Sequence, residues 1–217
     1  MEVGYDQAQL IALLQREALR KGTFTLASGR TSHYYVDGRK VTLSAQGALL
    51  IGAGVLDLLA DLPEVAAVGG LTMGADPIVG ATLALAPAWG RSDLRGFLVR
   101  KEAKGHGTGK LVEGPLEEGM TVAIVEDVAT TGGSALKAVE AVEAMGCTVA
   151  RVIAVLDRLE GALEAFTARK LDFRALTTIR DLGVEPLEPY HPGDVDALPP
   201  LQGPGGLGRR ALETPPA

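Results

Sequence analysis

Within residues 7–21, QAQLIALLQREALRK, apolar side chains recur at Leu10, Leu13, Leu14 and Ala18. Positions three and four apart share one helix face, so this spacing predicts an amphipathic helix that Gly22 ends. Residues 23–43 alternate imperfectly and read as short strands and turns. Ser44 is a candidate N-cap for a helix running to about residue 60. Residues 64–68 form a short apolar strand that enters GGLTMGADP, and 77–86 a further helix. Pro77 falls in its first turn, where a missing N–H is tolerated. Residues 96–99 are a strand. Residues 100–114 show no period and hold four glycines, which predicts a mobile loop.

The clearest unit follows. Residues 120–125 read as a buried strand and 148–156 as the next one. Between them, 134–145 predict a helix with Leu136, Val139, Val142 and Met145 inward and Gly146 at its C-terminus. Strand, helix and strand in so short a span make a βαβ unit. Several such units make an α/β fold, a mainly parallel sheet flanked by helices. Residues 185–217 carry eight of the twelve prolines and read as an irregular tail. The expected organisation is a small N-terminal hood (1–45), a core (46–183) and a Pro/Gly-rich tail (184–217).

Composition narrows the chemistry. The net charge of −6 argues against broad nucleic-acid binding. Yet residues 91–110 hold six Lys/Arg against Asp93 and Glu102, a local patch suited to a small polyanion. Cys147 is the single cysteine, so no internal disulfide is possible, which fits a reducing compartment. His33, His106 and His191 lack metal-ligand spacing. The opening MEVGYDQ is unlike a secretory leader, and the apolar stretch 78–90 is interrupted by Pro87 and too short to span a bilayer. These features predict a cytoplasmic protein without membrane partners. Cys147 and Trp89 read as packing residues.

The segment VAIVEDVATTGGS, residues 122–134, carries the chemistry. An apolar strand leads to Glu126 and Asp127, then to small residues, then to a helix. Ligands of parallel sheets bind beyond the strands' carboxyl ends. A Gly/Thr/Ser turn at a helix N-terminus offers free N–H groups and a positive dipole end, which together cradle a phosphate. No lysine follows the glycines, so this is not a Walker A loop. Carboxylates beside a phosphate need another role, such as holding sugar hydroxyls or Mg²⁺. Together these parts describe a ribose 5-phosphate site.

At this point the chain resembles the type I phosphoribosyltransferases, whose signature for binding phosphoribosyl pyrophosphate (PRPP) matches 122–134. FTLASGR (24–30) with YYVD (34–37), RKEAKGHG (100–107) and LDR (156–158) are similar to the orotate phosphoribosyltransferases, over about residues 10–183. The resemblance implies the type I fold with an N-terminal hood. It implies transfer of ribose 5-phosphate from PRPP to orotate, giving orotidine 5′-monophosphate and pyrophosphate. Mg²⁺ is implied as cofactor, carried mainly by PRPP rather than by protein ligands, and a homodimer with shared active sites. By matching position, Glu126 and Asp127 hold the ribose hydroxyls. Val128, Ala129, Thr130, Thr131, Gly132, Gly133 and Ser134 line the phosphate end. Arg100, Lys101, Lys104 and His106 bind pyrophosphate from a lid, with Lys104 and Asp127 catalytic. Thr130, Arg158 and Tyr35 contact orotate. One branch of the family has cations where this chain has Ala27 and Met73-Gly74. Two other readings are a transferase for another base and a PRPP-sensing regulator. The 24–37 segment and the lid argue against the first, and the absence of a DNA-binding extension against the second.

Overall fold

The computed structural model describes residues 4–25, 31–102 and 111–187. Lys104, His106 and Ala27 lie outside these residues.

A six-stranded sheet organises the chain, in the order β5-β4-β3-β6-β7-β8. Its strands are β3 (Val65–Leu71), β4 (Arg95–Val99), β5 (Val112–Glu113), β6 (Thr121–Ala129), β7 (Thr148–Asp157) and β8 (Phe173–Thr178). All neighbours are parallel except β5, which runs antiparallel to β4. Alternation along β6 feeds two cores. Ala123 and Val125 pack on one face with Leu10, Ile51 and Ile78. Val122 and Ile124 pack on the other with Val139, Val142 and Phe166. Burial on both faces explains why the central strands are nearly continuous apolar runs. The first face is covered by α1 (Gln7–Leu13), the short α2 (Arg39–Thr42), α3 (Ala45–Leu58) and α4 (Asp76–Leu85), the second by α5 (Gly133–Glu143) and α6 (Ala162–Ala168). Ser44 caps α3 as expected, its side chain accepting from the Gly47 N–H at 3.1 Å.

Three sequence expectations change. The first helix does not reach Lys21. It ends in a wide turn over Leu14–Ala18, and Leu19 is already extended at ψ 133. Leu19–Thr25 is instead strand β1, antiparallel to β2 (Thr31–Val36) with Leu19 opposite Val36. Pairing with a partner strand overrides local helical spacing here. Second, β6 does not stop before the acids. Glu126 and Val128 pair with Ala154 and Leu156 of β7, so both carboxylates sit on the sheet itself. Third, α5 turns Ala135, Ala138 and Ala141 inward beside Val139 and Val142. Leu136 is only partly buried, and Met145, beyond the helix, is 38% exposed. Small alanines let the helix lie close to the sheet.

The chain winds outward from β3 to β4 and, on the other side, from β6 to β7 and β8. The direction changes between β3 and β6, the switch point where a crevice opens past the strand ends.

Candidate active site

The loops after β3 and β6 meet at that switch point. Residues 129–133 and Lys137 wall a cavity of about 410 Å³. Through Glu126, Val128 and Ser134 it joins a second cavity of about 310 Å³, bordered by Tyr35, Arg39, Met73, Lys101 and Asp127. The two are lobes of one cleft.

The first lobe is a cradle. Gly132 precedes α5 at φ 79, and no side chain caps the helix. A Cβ on Gly132 would fall 2.9 Å from the Phe166 ring, so both backbone angle and packing demand glycine. The uncapped N–H groups and the helix dipole leave this lobe suited to an anion. Lys137, one turn into α5, adds a cation that the sequence reading missed. Its signal was the three-residue spacing from Ser134, which puts both on one helix face.

The second lobe is acidic at its floor. Val128 N–H donates to Asp127 Oδ1 at 2.9 Å. A Cβ on Gly38 would lie 3.4 Å from Asp127 Oδ2, and one on Gly74 2.7 Å from Oδ1. Asp127 is therefore hemmed by two glycine backbones. Burial, then the neighbouring Asp127 carboxylate, push Glu126 up to about 8, against the opposing pull of Lys101. A polar hydroxyl or cationic ligand would relieve this crowding.

Cations face the acids. Lys101 borders the lobe. Arg39 also borders it and was not foreseen. Its Nε donates to Asp37 Oδ1 at 2.9 Å, and Asp37 is held below the usual carboxylate range chiefly by that bond. Its signal was the Asp-Gly turn at the end of β2, which bends the chain toward β6. Arg100 stands apart. Its Nε donates to Glu113 at 3.0 Å, and it borders a neighbouring groove beside α5. Thr130 and Thr131 line the cradle, and Tyr35, 42% exposed, borders the second lobe with its ring against Phe24. Arg158 is buried next to the cradle, where its backbone N–H donates to Ala129 O at 2.9 Å.

Residues 66–178 match the phosphoribosyl transferase domain family. An orotate phosphoribosyltransferase of Rhodopirellula baltica is 55% identical over 83% of this chain and 96% of the relative. The chain belongs to the orotate phosphoribosyltransferases. The enzyme of that name from Thermosynechococcus vestitus is 50% identical over 80% of this chain and 91% of its own length. A crystal structure of the Mycobacterium tuberculosis orotate phosphoribosyltransferase in complex with PRPP superimposes with a TM-score of 0.69. It is 41% identical, over 82% of this chain and 99% of that one. The mostly parallel, helix-flanked sheet of this orotate phosphoribosyltransferase matches the type I phosphoribosyltransferase fold.

Proposed function

We propose that this cleft transfers ribose 5-phosphate from PRPP to orotate, releasing pyrophosphate and forming orotidine 5′-monophosphate for pyrimidine nucleotide synthesis. The observation that carries this reading is the continuity of an uncapped phosphate cradle with a carboxylate pair in a single cleft. The cradle at 129–134 takes the 5′-phosphate. Glu126 and Asp127 hydrogen-bond the ribose hydroxyls between it and the cations. Lys101 and Arg39 face the pyrophosphate, and Arg39 stands in for the cation that one branch of the family has at 73–74. Thr130, Arg158 and Tyr35 hold orotate.

Breaking the bond from C1′ to the pyrophosphate oxygen builds positive charge on the ribosyl centre and negative charge on the leaving group. The fixed Asp127 carboxylate near the sugar and cations near the pyrophosphate stabilise that separation better than reorganising water does. Lys104 supplies further positive charge and His106 a further hydrogen-bond donor, and a segment that closes over the site excludes water, the competing nucleophile. Among the described residues no three His, Cys, Asp or Glu side chains are grouped to hold a metal. Mg²⁺ would be held mainly by PRPP oxygens and water. It would neutralise the diphosphate and improve it as a leaving group.

The enzyme works as a homodimer whose lids serve the neighbouring site. No helix among the described residues is long and apolar enough to cross a membrane, and the lone cysteine suits the cytoplasm. The test is turnover of orotate with PRPP and Mg²⁺ by wild type, Lys104→Ala, Asp127→Asn and mixtures of the two variants. Each variant alone loses most turnover, and exchanged hybrid dimers recover part of it. Near-normal rates in Lys104→Ala contradict a catalytic lid, and no recovery after proven exchange contradicts shared sites.

A further inference from the structure

We infer that Glu160 and Tyr34 are positioning residues that clamp the Arg158 guanidinium in the orientation in which it meets the base. The inference rests on the reading that Arg158 contacts orotate.

All three side chains are buried. Tyr34 is 1% exposed, Glu160 3% and Arg158 8%. Glu160 Oε1 accepts from two donors, the Tyr34 hydroxyl at 2.8 Å and Arg158 Nε at 2.9 Å. The Arg158 guanidinium carbon lies 5.0 Å from the centroid of the Tyr34 ring. One contact fixes the edge of the guanidinium and the other covers its face, so its plane and reach are set.

Arg158 Nη2 also sits 2.8 Å from the same Oε1, so one carboxylate oxygen holds two nitrogens of the guanidinium edge. A buried ion pair is a poor stabiliser compared with apolar packing. A buried cluster that gains little stability is better explained by its orienting the guanidinium toward a ligand oxygen, such as a carboxylate or ring carbonyl of the base.

Backbone geometry aims the cluster. Leu159, between the pair, adopts φ 58, a left-handed conformation uncommon for leucine. Asp157 Oδ1 holds it by accepting from the Leu159 N–H at 2.8 Å. This bend lets Arg158 and Glu160 meet while the Arg158 backbone stays bonded to Ala129, next to Thr130. Tyr34 comes from β2 of the separate hairpin, so the clamp also joins that hairpin to the core beside the cradle.

The test is steady-state kinetics of wild type, Glu160→Ala, Glu160→Gln and Tyr34→Phe, varying orotate and PRPP separately. Glu160→Ala raises KM for orotate by roughly tenfold or more, the loss of about one charged hydrogen bond, with KM for PRPP within about twofold. Glu160→Gln recovers most of this, because its amide oxygen accepts the same two bonds. Tyr34→Phe keeps the ring but drops one bond, and raises orotate KM by about threefold. Should Glu160→Ala not fold, an unchanged orotate KM in Tyr34→Phe overturns the clamp. Orotate and PRPP KM rising together, no change in either, or no recovery in Glu160→Gln does the same. A wild type that leaves orotate unconverted overturns the functional reading first, and the clamp with it.

Discussion

The Asp127 carboxylate leaves no room for a side chain at Gly74: a methyl group there would lie 2.7 Å from its Oδ1. The atom in the way is the end of a side chain rather than backbone, so an added methyl displaces the carboxylate and spares the fold. Gly74→Ala is expected to lower kcat/KM for PRPP by about tenfold or more, since small misplacements at a reacting centre are costly. The melting temperature stays within about 2 °C of wild type. A large drop in melting temperature with unchanged kinetics would show that the loop serves stability instead.

The acid pair should cost the free enzyme stability. Glu126 is raised to about 8 from 4.5 by burial and by Asp127. The folded state then keeps a proton that the unfolded chain gives up above its ordinary value. Its contribution is fully present below that value and is lost as pH rises through about 8. Glu126→Gln removes this loss. Calorimetry at pH near 8.5 should find the variant melting higher by a few degrees, roughly 2–6 °C, with the gain shrinking in mild acid. Isothermal titration should find weaker PRPP binding in the same variant, as expected where function is kept at the expense of stability.

Gly132 joins the cradle to the core. Alanine there must adopt φ 79 and fit within 2.9 Å of the Phe166 ring. A loss on the order of 2 kcal/mol is expected, combining backbone strain with overpacking. It should appear as a lower urea midpoint with an unchanged slope. A midpoint equal to wild type would mean that the turn accommodates a side chain.

Much of this was legible in the sequence, for identifiable reasons. The βαβ unit around 122–156 announces itself because a doubly buried strand has little freedom but to be apolar. The cradle was legible because Gly132, Gly133 and the hydroxyl residues are local in sequence. Strands within 23–43 were read, but the start of the β1–β2 hairpin was not, since Ala18 lies in helical register with Leu10 and Leu14 and only the pairing of Leu19 with Val36 ends the helix before it. Arg39 and Lys137 were missed because their role depends on which lobe their elements face. Arg158 was foreseen, but its partner Glu160 was not, because the bend at Leu159 leaves no mark in residue type.

Arg39 gives a further prediction. Its bond to Asp37 is half exposed, so removing it should shift stability by at most about 1 kcal/mol. Arg39→Ala should raise KM for PRPP by about fivefold or more and leave KM for orotate nearly unchanged. The opposite split would move Arg39 from the pyrophosphate to the base.

The central claim is the transfer of ribose 5-phosphate to orotate, and direct competition tests it best. The enzyme is given PRPP, Mg²⁺ and an equal mixture of orotate, uracil, adenine, hypoxanthine and guanine, and the nucleotides formed are separated and measured. The account predicts orotidine 5′-monophosphate alone, with one pyrophosphate released per orotate consumed. A purine nucleotide as the main product, or no nucleotide at all, would contradict it.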